Sequence, residues 1–278
     1  MTHETNFAAK LRWWRERRSL SQLALAARAG ISQKHLSFLE LERAAPSREM
    51  IDRLAQALDL PLRPYNALLL AAGFAPEWRE RDLASPDMAQ IAGALDYMLA
   101  QQEPYPALVV DRCWNLLKSN GAAVRMVEFL VGPIAPGTAI NLADALVAPD
   151  VLRPHLVNWP QVVRHFIRSV EADAAADEAP EMTALLDRLL SYKGVRAALD
   201  QDSIRSDSSP VLAMHFRKRD ASLRLFTTIA TLGTPQDITL QGLRIECFFP
   251  MDEATAEIFR SWAKAPLTPS RPSVRSRS

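Results

Sequence analysis

The sequence predicts an α+β protein in two parts, an all-α N-terminal domain followed by a domain that mixes helices with a sheet. Three observations predict it. From Asn6 to Ala72 the apolar residues recur at helical spacing, in short segments broken by serine, glycine and proline. After residue 210, three runs (211–217, 222–232 and 238–249) are β-rich. In the second, Leu223, Leu225, Thr227 and Ile229 alternate with Arg224, Phe226 and Thr228, the period of a half-buried strand. The third is length, since 278 residues favour two domains over one.

Composition narrows the function classes. A hydrophobic fraction of 48% and a charged fraction of 23% are ordinary for a globular chain. No run approaches the roughly 18 apolar residues of a membrane span, and MTHETNFAAK carries no signal-peptide pattern. Cys113 and Cys247 form neither a disulfide framework nor a metal spacing. His3, His35, His155, His165 and His215 have no ligand spacing, and no G-x-S-x-G, P-loop, G-x-G-x-x-G or H-E-x-x-H motif occurs. The expectation is a cytoplasmic chain with reduced thiols, no membrane association, no metal, no cofactor and no enzymatic activity.

The first helix covers about 6–18, with Leu11 and Trp14 inward. Ser21 can cap the second, where Leu23, Ala26 and Ala27 fall at helical spacing. Gly30 follows, where a chain leaving a helix needs a left-handed residue. Ile31 packs into the turn, and Ser32 can cap a third helix running from Gln33 to about Leu41. There Leu36 and Leu39 face inward, while Gln33, Lys34, Ser37 and Phe38 face outward. Two short helices around a glycine turn, the second with a polar face, form a helix-turn-helix. The net charge of +1 is unevenly spread: between Asn6 and Arg48 nine Lys/Arg stand against three Glu, the local field that phosphate contacts need. Pro46 and Ser47 open a fourth helix with Met50, Ile51, Leu54, Ala55 and Leu58 inward. A fifth runs over 65–72.

From LRWWRERRSLSQ through PSREMIDRLAQALDLP, about the first sixty residues resemble the XRE family of lambda-repressor-like DNA-binding domains. The resemblance implies a structural ion pair at the matching positions Arg15 and Glu40. Helix geometry gives the DNA-facing candidates. Gln22 can reach a phosphate from the start of the second helix. Gln33, Lys34 and Ser37 project where base edges are read, Gln suiting adenine and Lys guanine. Phe38 suits either a thymine methyl or packing against a neighbouring helix. Arg43 and Arg48 are phosphate candidates. The family usually places a glycine after the recognition helix; this chain reads Leu41-Glu42-Arg43, and Glu42 would repel phosphate if it pointed at DNA.

The segment PLRPYNALLLAAGFAP, followed by EPYPALVVDRCWNLLKSN, RPHLVNW, TLGTPQDITL and LRIECFFP, is similar to the MmyB-like regulators, whose C-terminal part is a PAS-like ligand-binding domain. The organisation expected is a helix-turn-helix domain over 1–75, a charged, proline-bounded linker over 76–86, a ligand-binding and dimerisation domain over 87–264, and a disordered tail over 265–278. Within the third part the sequence predicts helices at 87–101, 119–130, 142–147, 155–174, 182–192 and 251–264. Strands are expected at 107–111 and 114–116, and in the three late runs. The acidic run 171–181 reads as a solvated helix end and loop.

Candidate ligand-binding residues are Tyr105, Trp114, Asn158, Trp159, Phe226, Arg244 and Phe248. The plain alternative for the aromatics is core packing, since a PAS-like sheet needs large side chains whether or not it holds a ligand. Arg244 is either a salt-bridge partner of Glu246 or Asp237, or a carboxylate anchor at the mouth of an apolar cavity. The resemblance implies a sequence-specific transcription regulator acting as a homodimer on double-stranded operator DNA, and a carboxylate anchor at Arg244 would suit a small apolar, fatty-acid-like effector. The alternatives are a ligand-independent DNA-binding dimer whose C-terminal domain only assembles it, and a DNA-tethered enzyme.

Overall fold

The computed structural model describes residues 6–135, 137–176, 179–200, 211–233 and 235–264. The expected tail at 265–278 lies outside the described residues. The chain divides into two units, Met1–Arg81 with Thr234–Gln241, and Asp82–Gly233 with Gly242–Ser278.

The N-terminal unit begins with five helices: α1 (Phe7–Arg17), α2 (Gln22–Ala29), α3 (Gln33–Glu40), α4 (Arg48–Ala57) and α5 (Leu62–Ala71). Side-chain caps set four of the starts. Asn6, Ser21, Ser32 and Ser47 each accept a hydrogen bond from the backbone N–H three residues on, at 3.0 to 3.2 Å. Gly30 leaves α2 at φ 66°, the left-handed conformation expected of it. The core gathers Leu11, Trp14, Leu25, Leu36, Leu39, Ile51, Leu54 and Leu68. The inward face of α2 is Leu25, Ala26 and Ala29. Leu23, expected on that stripe, is 62% exposed; the Ser21 cap fixes the helix phase so that Leu25, two residues on, takes the buried place.

Residues 77–81, expected as linker, are fastened to this unit. Asn66 Oδ1 accepts from the N–H groups of Glu77 and Trp78, and its Nδ2 donates to Trp78 O at 2.7 Å. Buried Asn66 thereby satisfies its amide on backbone that has no helix or sheet of its own.

The second unit carries α6 (Ala89–Gln101), β1 (Ala107–Val110), β2 (Leu116–Ser119), α7 (Gly121–Val131), α8 (Leu142–Val147), α9 (Trp159–Ala176), α10 (Pro180–Ser191), α11 (Val195–Asp200), β3 (Met214–Lys218), β4 (Ala221–Ala230) and β5 (Arg244–Pro250). Between β4 and β5 lies α12 (Ile238–Gln241), and α13 (Glu253–Lys264) follows β5. The sheet is antiparallel with order β2-β1-β5-β4-β3. A helical N-terminal domain followed by an antiparallel sheet with helices is the α+β architecture expected.

Three boundaries differ from the sequence reading. Asp111 accepts from Cys113 N, Asn115 N and Asn115 Nδ2, folding 111–115 into a turn, so β2 starts at Leu116 and not at Trp114. Arg153–His155 forms a separate 3-10 turn, and α9 begins at Trp159. The run at 238–249 is not one strand: Asp237 accepts from Thr239 N at 2.9 Å and starts a helical turn before β5.

Candidate nucleic-acid interface and ligand cavity

The helix-turn-helix is locked from inside by a polar cluster. Glu40, the last residue of α3, receives Arg15 of α1 through Nε at 2.6 Å and Nη2 at 3.1 Å. Both side chains are covered, 11% exposed for Arg15 and 3% for Glu40. Arg15 Nη1 also donates to Leu20 O at 2.9 Å. Gln22 donates from Nε2 to Glu40 Oε2 at 2.8 Å, the oxygen that also receives Arg15 Nη2. One carboxylate thus joins α1, α2 and α3, and a fully hydrogen-bonded buried pair is the form in which such a pair persists.

Gln22, expected to reach a phosphate, spends its amide on Glu40 instead. Arg48, a second phosphate candidate, donates to Glu77 Oε2 at 3.0 Å and to Ala75 O. The carboxylate of Glu77, fixed beside Asn66, is the nearest compensation for its charge. Gln33 and Lys34 are exposed in the first turn of α3, beside the Ser32 cap, and Arg43 is exposed after the helix. Ser37 and Phe38 are half-buried. The Lys34 ammonium lies 5.7 Å from the centre of the Phe38 ring. Glu42 stands at φ 57°, the left-handed position that a glycine ordinarily fills, and accepts a hydrogen bond from Asn6 Nδ2.

A cavity of about 410 Å³ opens in the second unit, between the sheet and the helices α7, α8 and α9. Strand parity decides who lines it. In the β4–β5 register Thr227 faces Phe248 and Ile229 faces Glu246, and all four side chains lie on the cavity side. Phe226 pairs with Phe249 across the same two strands, and their stacked rings occupy the opposite face. The Phe226 candidate is therefore corrected by the two-residue period of the strand.

Trp114 and Phe248 line the cavity. Trp114 sits at φ 65°, edge-on to Phe166, with its indole N–H buried and lacking an acceptor among the described residues. Tyr105 packs edge-on to Phe259 outside the cavity. Asn158 is structural, donating to Ala213 O at 2.7 Å and accepting from His215 N at 3.0 Å. Trp159 donates to Leu146 O at 2.9 Å beneath the Arg153 guanidinium, 3.7 Å from its ring centre. The RPHLVNW motif is thus a clamp on the start of α9, and none of Arg153, Asn158 or Trp159 lines the cavity.

Arg244 does not line it either. It donates to Asp173 of α9 at 2.5 Å and lies 5.4 Å from the Trp114 ring centre. Neither Glu246 nor Asp237 is its partner; Asp237 instead receives Arg81 at 3.1 Å. The carboxylate that does line the cavity is Glu246. Burial pushes its pKa up to about 7, against the opposing pull of a Thr227 hydrogen bond and the Arg244 charge. The sequence reading gives Glu246 only as an alternative salt-bridge partner of Arg244 and not as a lining residue. His165, Ser169 and Thr227 complete the polar lining and were also missed, because nothing in their local sequence separates them from solvent-facing residues.

The candidate elements match known families. Residues 11–64 match the helix-turn-helix family, and residues 91–261 match the MmyB-like transcription regulator ligand binding domain. Neither family is enzymatic. No curated protein matches the chain. A solved structure described as an RNA-binding light-oxygen-voltage receptor is similar over 91% of this chain at 13% identity, with a TM-score of 0.31, a likeness too low to bear on function. The chain spans 55% of that receptor's length. No helix among the described residues is long and apolar enough to cross a membrane. The ligand-binding match covers more than half of the chain and follows a helix-turn-helix match, so the protein belongs to the MmyB-like transcription regulators, with a DNA-binding N-terminal domain and a ligand-binding C-terminal domain.

Proposed function

We propose that the protein is a cytoplasmic homodimer that reads an operator with inverted half-sites through α3, and that its C-terminal cavity takes a small effector with an apolar body. The observation that carries the DNA reading is the contrast along α3. Its last residue, Glu40, is locked into the bundle, while Gln33 and Lys34 of its first turn are exposed beside the helix start. An exposed polar first turn on a rigidly held helix is what base-edge readout requires. One such helix contacts too few bases to specify a site alone, which supports a twofold dimer. The cavity volume lies within the range of small-molecule sites, and its lining is mostly aliphatic and aromatic.

The mechanism proposed is linkage. An effector that prefers one arrangement of the dimer changes the spacing of its two recognition helices. The chain itself supplies a covalent route: Thr234–Gln241, which belongs to the DNA-binding unit, is bracketed in sequence by Ile229 and Glu246 of the cavity wall.

The test is Gln33→Ala combined with Lys34→Ala. Sequence-specific protection of promoter DNA is lost, while sedimentation reports an unchanged dimer. Protection of the same operator by the double variant would remove α3 as the reading element. A monomer in sedimentation would remove the twofold mode. Operator affinity unmoved by every cavity ligand would leave the C-terminal domain as an assembly module.

A further inference from the structure

We propose that the effector is a lipophilic cation, an apolar body carrying a protonated amine that pairs with the Glu246 carboxylate in the cavity wall. This rests on reading the cavity as the effector site and adds the chemistry of the head group.

The cavity supplies hydrophobic surface from Leu108, Met126, Val162, Phe216 and Phe248. Its polar lining is Glu246, Thr227, His165, Ser169 and the indole of Trp114, and no lysine or arginine lines it among the described residues. Arg244, two residues away on the same strand, donates to Asp173 at 2.5 Å outside the cavity lining, and its charge offsets that of Glu246 only in part. Among the described residues the wall therefore carries an acid with no lysine or arginine beside it in the lining. Leu108 and Ile229 flank Glu246 in register on β1 and β4, so no charge meets it from either neighbouring strand. From α9 the groups facing the cavity are His165 and Ser169. Thr227 stands on the same cavity wall, where its hydroxyl lowers the pKa of Glu246 and still leaves the carboxylate acceptor capacity unused.

Energetics then sort the ligand classes. A carboxylate head would bring a second negative charge into an apolar site beside Glu246, and like charges there oppose ionisation of both. An alcohol donates one hydrogen bond and leaves the charge uncompensated. An ammonium donates and compensates the charge, and it does so where water is partly excluded. The apolar body contributes to all three equally.

Titration calorimetry on the full chain with decylamine, decanol and decanoate separates these cases, since the three share one chain and differ in the head. Expected is the order amine, alcohol, carboxylate. Amine affinity rises about tenfold from pH 6 to pH 8, following ionisation of a group titrating near 7, and decanol affinity stays flat. Glu246→Gln brings decylamine down to the decanol level and abolishes the slope. Should that variant fold poorly, Thr227→Val is the second probe: loss of the hydroxyl raises the pKa of Glu246 and moves the midpoint of the amine slope to higher pH. His165→Asn keeps the slope.

Decanoate binding as tightly as decylamine, or a slope that survives Glu246→Gln and disappears in His165→Asn, overturns the cation assignment while the cavity reading stands. Equal affinity for amine and alcohol does the same. Failure of all three probes to bind overturns the effector-site reading, and the cation assignment with it.

Discussion

Gln241 Oε1 accepts a hydrogen bond from the backbone N–H of Leu62 at 3.1 Å, across 179 residues of sequence. Leu62 opens α5, and its N-cap is Pro61, which supplies no side-chain acceptor. The cap is instead delivered by α12, from the connection between the two long strands of the C-terminal sheet. Thr239 reinforces the attachment, accepting from Arg81 N at 3.1 Å and donating to Arg81 O at 2.7 Å. Ile238 N donates to Arg79 O at 3.0 Å. Gln241→Ala removes the cap and is expected to destabilise the start of α5 by about 1 kcal/mol, the usual worth of a side-chain N-cap. Hydrogen exchange at the α5 amides is the readout, with the α1 amides unchanged as the internal control.

Arg15→Ala leaves Glu40 buried without its cation. The expected loss is about 3–5 kcal/mol, because the desolvated carboxylate keeps its cost and loses its compensation. Denaturant unfolding followed at the Trp13 and Trp14 pair reports it, since those rings stand on the same helix 4.9 Å apart. A change below about 1 kcal/mol would mean that Gln22 and solvent suffice for Glu40.

Arg43→Ala is expected to weaken binding to all DNA sequences alike and to lower the salt slope by about one unit, the signature of one lost phosphate contact. Arg48→Ala is expected to alter the slope less, because Glu77 already neutralises that guanidinium. Fluorescence anisotropy with operator and scrambled duplexes across a salt series measures both.

Glu246 makes stability fall with rising pH. Its folded pKa, pushed up to about 7, lies above the ordinary value of 4.5. The fold is therefore most stable with respect to this group below the ordinary value, and that stability is lost as pH rises through the folded pKa. Glu246→Gln is expected to raise the melting temperature at pH 8 and to leave it little changed at pH 4.5. The difference corresponds to a penalty on the order of 2–3 kcal/mol. Asp252 and Glu77 act in the opposite sense. Hydrogen bonds from Thr255 hold Asp252 below the usual carboxylate range, and those from Tyr65 and Arg48 do so for Glu77. Their contributions are present above the ordinary carboxylate pKa and are lost as pH falls through the depressed values.

Glu42 occupies a left-handed backbone position. A residue with a Cβ pays roughly 1 kcal/mol there, which the Asn6 hydrogen bond offsets in part. Glu42→Gly is expected to change stability by less than about 1 kcal/mol, relief of strain cancelling loss of the bond. Glu42→Val loses the bond and meets the steric limit of a β-branched residue, so it is expected to destabilise by about 2 kcal/mol. Thermal melts of the pair distinguish the two contributions.

The sequence by itself determined the helix-turn-helix. Ser21, Gly30 and Ser32 act on the residues next to them, and Leu36 and Leu39 repeat at a spacing that only a helix places on one face. The α+β class was legible for the same reason, because the alternation in β4 is a local period. Tertiary structure alone decided which polar groups are spent and which are left facing open space. Gln22 and Arg48 carry the residue types of phosphate ligands, yet each is committed to a carboxylate from a distant part of the chain, Glu40 and Glu77. Arg244 and Glu246 share a strand face in sequence. Asp173, seventy-one residues away, pairs with the first, while the second lines the cavity. The excursion of Thr234–Gln241 to the DNA-binding unit has no local signature, since a helical turn capped by an aspartate reads the same wherever it docks. Local periods are written in neighbouring residues; the compensation of a buried charge depends on which side chain the fold brings within reach.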